Sequence, residues 1–145
     1  TVNDAIGLAL AEEMRRDERV LIFGEGVATK RHDLVKEFGA LRVRNTPLAE
    51  GIIAGTAAGA AATGLRPVVD LLFAPFLCYA MDEIVNSAGK LRYISGGQFS
   101  FPMVVMTMTG GVPSCPTDVA AVAERTFALT LSAVSWSVCR EFAPL

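Results

Sequence analysis

Four short apolar runs, "RVLIFGEG", "LRVRNTP", "RPVVDLLF" and "FPMVVMTMTGG", alternate with stretches of helical spacing, and this alternation constrains the fold more than any single motif. Strands separated by helices close most simply as parallel neighbours joined by crossovers. The expected class is therefore α/β, a doubly wound and mainly parallel sheet with helices on both faces. "VNDAIGLALAEEMRRD" reads as the first helix, with Ala5, Leu8, Ala9 and Met14 near i, i+3, i+4 spacing, Asn3 and Asp4 as capping candidates and Arg15 and Arg16 in its last turn. "RHDLVKEFGA" reads as a short helix stopped by Gly39, and Pro47 ends or edges the strand before it. "MDEIVNSAGKLRYISGG" is expected as a helix with Ile84, Val85, Ala88 and Leu91 inward.

The segment from Glu50 to Gly64 holds one carboxylate among apolar residues, glycines and threonines. Gly51, Gly55 and Gly59 recur every four residues, so one helix face carries only hydrogen atoms and admits another backbone, expected to be that of a second chain. A helix this apolar is expected to be buried. An unpaired ionised carboxylate in such surroundings costs several kcal/mol, so Glu50 either stabilises the helix N-terminus through the macrodipole, worth under about 1 kcal/mol at a surface, or serves chemistry.

Hydrophobic residues make up 52% of the 145, mean hydropathy is +0.42 and only 19% are charged, which is apolar for a monomer and predicts a surface that meets another chain. The net charge of −2 and pI near 5.4 leave no basic footprint for nucleic acid. Cys78, Cys115 and Cys139 are odd in number and lack metal-ligand spacing, which favours free thiols in a reducing, cytoplasm-like compartment over secretion. The opening residues lack the basic start of a signal peptide, and Asp70 and Pro75 break the best candidate for a membrane span.

Other motifs carry little. "GEGVAT" follows a strand as a dinucleotide fingerprint does, but Thr29 stands where the last glycine belongs and "KRHD" reads as a loop, not a helix start. No GxxxxGK[ST] or GxSxG occurs, and the single histidine, His32, sits between Arg31 and Asp33 in a charged stretch.

The stretch "NTPLAEGIIAGTAAGAAATGLRPVVDLLFAPF", with "FGEGV", "MDEIVNSAGKLRYISGGQFSFP" and "AIGLALAEEMRRDERV", resembles the beta subunit of the thiamine-diphosphate-dependent 2-oxo acid dehydrogenases of pyruvate, branched-chain and acetoin type. The resemblance is collinear from Thr1 to about Gly111 and implies the pyrimidine-binding domain of a transketolase-like fold. It matches Glu50 to the family's glutamate that hydrogen-bonds N1′ of the cofactor aminopyrimidine and favours the tautomer that removes the thiazolium C2 proton. Such an acid works best with its pKa raised toward neutrality, and burial against Ile52 and Ile53 is expected to act in that direction. The resemblance further matches Phe76 to an aromatic lying on the aminopyrimidine, Leu48 to a residue beside the ring, Glu25 to the acidic position of a "GE" turn behind the cofactor, and Met103 to a backbone ligand of potassium.

It also implies an alpha subunit holding magnesium and diphosphate, a second beta subunit and an acyltransferase core as partners. The family's arginine after the fourth strand is replaced by "MTMTGG", its loop histidine is absent, and "VPSCPTDVAAVAERTFALTLSAVSWSVCREFAPL" has no counterpart in it. The expected organisation is a pyrimidine-binding domain over 1–111 and an atypical tail over 112–145, a truncated or frameshifted end of the same domain. The expected function is cofactor activation for oxidative decarboxylation within an alpha–beta assembly. The alternatives are a catalytically silent subunit or fragment with an interface role, and another transketolase-like thiamine enzyme.

Overall fold

A computed structural model describes residues 2–108, and the expected tail over 112–145, with Cys115 and Cys139, lies outside the described residues. In chain order the elements are α1 (Val2–Arg16), β1 (Val20–Gly24), α2 (Val27–Lys30), α3 (His32–Phe38), β2 (Val43–Asn45), α4 (Glu50–Ala62) and β3 (Arg66–Phe73). A 3₁₀ helix (Ala74–Ala80), a π-helix (Glu83–Ala88), α5 (Gly89–Ile94) and β4 (Val104–Met108) complete the order. The four strands pair only in parallel, in the order β2-β1-β3-β4. The chain thus builds outward from β1 to one side, then crosses to the other, and the direction reverses between β1 and β3.

Period-two alternation sends neighbouring strand residues to opposite faces, and this divides the core in two. Val20, Ile22 and Val68 face α1, α2 and α3, where Leu10, Ala11, Met14, Val27 and Leu34 meet them. Phe23, Val69 and Leu71 face α4 and the 3₁₀ and π helices, where Ile53, Ala54, Ala57, Leu77 and Ile84 cover them. Helices on both faces of a parallel sheet are the architecture expected from the sequence.

Four local expectations are corrected. The buried stripe of α1 is Leu10, Ala11 and Met14 with half-buried Gly7, while Ala5, Leu8 and Ala9 are exposed. Positions 7, 10, 11 and 14 have the same helical spacing, but a glycine carries no hydrophobic signal. Asn3 and Asp4 lie inside α1, not before it. "KRHD", expected as a loop, instead ends α2 at Lys30 and opens α3 at His32, α2 itself following Gly26 in the left-handed conformation at φ 64°. Finally, Leu91 is 39% exposed, because the π turn takes one residue more per ring than an α turn and rotates the next helical turn off the stripe begun by Ile84.

The glycine face of α4 serves this chain's own helices. A Cβ at Gly51 would stand 3.1 Å from the Tyr79 carbonyl oxygen, and one at Gly55 would stand 3.2 Å from the Glu83 carboxyl carbon. Gly59 faces open space. Nor is α4 buried all round, since Ile52 is 73% exposed.

Two polar devices tie α1 to the sheet. Arg42 donates from Nη2 to the Met14, Asp17 and Val20 carbonyls at 2.7, 2.9 and 2.8 Å and from Nε to Val20 at 3.0 Å. Its guanidinium carbon lies 5.1 Å from the centre of the Phe38 ring. One side chain therefore caps the end of α1, holds the start of β1 and touches α3. Asp17 binds the Arg19 side chain at 2.8 and 3.0 Å and its backbone N–H at 2.9 Å, with Arg66 of β3 at 3.3 Å. The Arg19 guanidinium and N–H, helped by the charge of Arg66, hold the Asp17 carboxyl down at about 2.

Arg42→Ala should lower stability in urea denaturation by about 2–3 kcal/mol, as hydrogen bonds from a charged donor are lost, and Arg42→Lys should recover only part, because an ammonium lacks the planar fork. Because the folded-state value of Asp17 is depressed, its stabilisation is complete above the ordinary value of 3.8 and disappears as pH falls toward about 2. Asp17→Asn should accordingly flatten the melting temperature profile between pH 4 and 2, measured beside the unaltered chain.

Candidate functional site

In open parallel sheets the crevice for a ligand lies beyond the carboxyl ends of the strands, where the strand order reverses. Here that place is outside Gly24 of β1 and Asp70 of β3, which are register partners. The strands approach so closely that a Cβ at Gly24 would stand 2.2 Å from the Asp70 carbonyl oxygen. Only glycine fits.

Four of the five candidate residues leave the sheet at this end. Glu25 directly follows β1 and is half-buried, with its carbonyl accepting from Lys30 Nζ at 3.4 Å. Leu48 and Glu50 follow β2, and Phe76 follows β3. The exits are stitched together: Thr46 N–H donates to the Gly24 carbonyl at 3.0 Å, Ala28 N–H donates to Asn45 Oδ1 at 2.7 Å, and Gly51 abuts Tyr79. That last contact sets the first turn of α4, which Glu50 opens, beside the 3₁₀ helix that carries Phe76.

Glu50 is half-buried behind Ala49, which supplies no side-chain cap. Among the described residues its carboxylate forms no hydrogen bond or ion pair, so the helix dipole is its evident intramolecular support. The expected burial against Ile52 is not found, because Ile52 points to solvent, whereas Ile53 belongs to the core. Leu48 is 62% exposed. Phe76 is half-buried and meets Phe73 edge-on, with ring centres 5.9 Å apart at 79°. Met103 is not brought to this site. It is buried just before the first residue of β4, at the amino end of the sheet.

The donor set suits the flat, basic, apolar-faced half of an aminopyrimidine: an unpartnered carboxylate at a helix start and an aromatic ring held by a second ring. It does not suit a divalent cation with a diphosphate. No group of three or more His, Cys, Asp or Glu able to hold a metal occurs among the described residues. A cleft of about 570 Å³ between α4 and the β1–β2 side of the sheet is lined by Phe23, Leu41, Arg42, Ile52, Ile53 and Leu65 among others, and includes neither Glu50 nor Phe76.

Asp70 and Leu72 were not identified from the sequence, which offers Asp70 only as a break in an apolar run. Asp70 is 8% exposed, and Leu72 is the one non-glycine residue with positive φ, 62°, among the described residues. A carboxylate four residues inside a run that otherwise reads as buried strand was the available signal.

Comparison with known proteins agrees with the fold. The chain is 45% identical over 114 residues to the 2-oxoisovalerate dehydrogenase subunit beta of Bacillus subtilis (strain 168), covering 74% of this chain and 35% of that protein. It is 45% identical over 116 residues to the pyruvate dehydrogenase E1 component subunit beta of Rhizobium meliloti (strain 1021), covering 76% and 25%, and 46% identical over 110 residues to that of Porphyra purpurea, covering 70% and 33%. It therefore spans about a quarter to a third of the length of these curated relatives. Residues 1–140 match the family described as transketolase, pyrimidine binding domain. The chain belongs to the transketolase pyrimidine-binding domain family.

Proposed function

We propose that this chain is the pyrimidine-binding portion of a beta subunit of a thiamine-diphosphate-dependent 2-oxo acid dehydrogenase. The observation that carries the reading is the gathering of Glu50 and Phe76, from the exits of β2 and β3, at the carboxyl end of the sheet. The relatives' names, pyruvate and 2-oxoisovalerate dehydrogenase beta subunits, supply the reaction class. When bound, thiamine diphosphate supplies the electron sink for decarboxylation of a 2-oxo acid.

The chain's own contribution is binding and proton handling. Phe76 offers a face to the aminopyrimidine, worth roughly 1 kcal/mol beyond area burial, and its edge contact with Phe73 fixes that face. Leu48 and Glu25, at the same end of the sheet, would help to hold the ring. Glu50 would hold a proton at N1′, and its place at a helix start with no hydrogen-bond or ion-pair partner among the described residues leaves the carboxylate available.

The remaining components come from elsewhere. Magnesium and diphosphate require a carboxylate and amide set that the described residues do not provide, so a partner alpha subunit is proposed to hold them. Leu41 and Ile52 are exposed at the rim of one cleft beside α4, and such surface is suited to burial by that alpha subunit or by a second beta subunit. Binding to the acyltransferase core and residence in a reducing compartment such as the cytoplasm are part of the same proposal, the latter supported by the free, exposed Cys78. Met103 is proposed as a backbone ligand of potassium, at the opposite end of the sheet from the proton chemistry.

In an assembly reconstituted with a diphosphate-binding alpha subunit, Glu50→Gln should slow C2 proton exchange of bound cofactor about 100-fold or more, the range typical of general acid–base groups. An amide accepts and donates hydrogen bonds but does not share the proton. Hydrogen–deuterium exchange followed by NMR reads this directly, and a wild-type rate would remove Glu50 from the mechanism. The chain alone should show no saturable thiamine diphosphate binding in calorimetry at micromolar cofactor with magnesium. Tight magnesium-dependent binding by the isolated chain would overturn the proposed division of the site.

A further inference from the structure

We infer that Asp70 is a positioning residue for the candidate site: through the Leu72 N–H it holds the strand irregularity that delivers Phe76 to the carboxyl end of the sheet. Three observations converge on it. Asp70 is the buried charged residue of the described core. Its Oδ1 accepts the Leu72 backbone N–H at 2.9 Å, two residues along the same strand. Leu72 has φ 62°, a left-handed conformation that is unfavourable for a leucine and so persists only where neighbours enforce it.

The consequence is visible in the sheet register. Asp70 pairs with Met106 and Phe73 with Met108, so β3 carries two residues, Leu71 and Leu72, against the single Thr107 of β4. An extra residue reverses the parity of every side chain beyond it. Without it, Phe73 would fall on the face of Val69 and Leu71 inside the core. With it, Phe73 stands 51% exposed, the chain turns into the 3₁₀ helix at Ala74 and Pro75, and Phe76 meets the edge of Phe73. The carboxylate is thus used for its acceptor geometry, as in turns where an Asp side chain binds the N–H two residues on. The cofactor-related end of this inference rests on the reading of Phe76 as the face for the aminopyrimidine. The positioning itself does not.

Four variants of the chain separate the possibilities. Asp70→Asn keeps an oxygen acceptor in the same place, Asp70→Ala removes it, and Leu72→Gly removes the conformational cost that the acceptor offsets. Asp70→Ala should lower the melting temperature by roughly 5 °C or more and abolish the cross-ring NMR contact between Phe73 and Phe76. Asp70→Asn should retain most of both. In the Leu72→Gly background the same Asp70→Ala change should cost less than half as much and leave the ring contact in place, a comparison that remains readable even if Asp70→Ala alone does not fold. Equal damage from Asn and Ala, or an undiminished cost in the glycine background, would overturn the inference. In the reconstituted assembly, the thiamine diphosphate concentration for half-activation should rise at least tenfold for Asp70→Ala and stay near wild type for Asp70→Asn. Failure of this last measurement with the ring contact behaving as described would overturn the aminopyrimidine role of Phe76, not the positioning by Asp70.

Discussion

The approach of Gly24 to the Asp70 backbone is the constraint on which the rest of the architecture depends. A side chain at position 24 would place its first carbon 2.2 Å from a carbonyl oxygen, so this pair of parallel strands can close at its carboxyl end only with glycine there. Where the two strands close, the chain changes direction across the sheet, and every exit loop that carries a candidate residue leaves from the same edge. Backbone hydrogen bonds from Thr46 and Ala28 then fix the neighbouring exits against β1 and β2. The site is a product of strand topology before it is a product of side chains.

The division of the core explains how a small sheet supports that edge. β1 and β3 give alternate residues to two apolar clusters, one under α1 to α3 and one under α4 and the helices after β3. β2 has three residues, and only Val43 of them is buried. The α4 face of the sheet is consequently open on its β2 side, where the cleft bordered by Leu41, Ile52 and Leu65 lies. An apolar helix with one face in the core and Ile52 in solvent is unfinished by the rule that helices apolar all round are buried. This open face accords with a domain that completes itself against another surface.

Glu50 shows how the same sequence feature supports a role by a different physical route from the one first expected. Desolvation by Ile52 and Ile53 would favour a protonated acid, yet Ile52 turns away and the carboxylate remains half-buried at the start of α4. What the fold gives it is location: first in its helix, next to Gly51, whose missing side chain lets the Tyr79 carbonyl come within van der Waals reach. The glycine repeat is thereby explained within the chain at two of its three positions, the third being open.

Local chemistry made the element order legible in the sequence. Apolar runs of four to eight residues bounded by glycine or proline gave the strands, and Gly39, at φ 78°, stops α3 where its lack of a side chain allows it. The resemblance of "FGEGV" and of the stretch from Asn45 to Phe76 to a known family pointed to Glu25, Leu48, Glu50 and Phe76, and the fold brings all four to one edge, leaving Met103 at the other. The sequence alone could not decide which side of α1 faces inward, since Gly7 contributes to the buried stripe without any hydrophobic signature. Nor could it show the π turn that rotates Leu91 outward, or the extra residue in β3 that exposes Phe73. Those features arise from register and close approach between segments distant in the chain, and a side chain's identity carries no record of what will lie across from it. Composition and spacing therefore determined the class of fold and its order of elements, whereas only the tertiary structure decided which faces are buried and how Asp70, Leu72 and Phe76 act together.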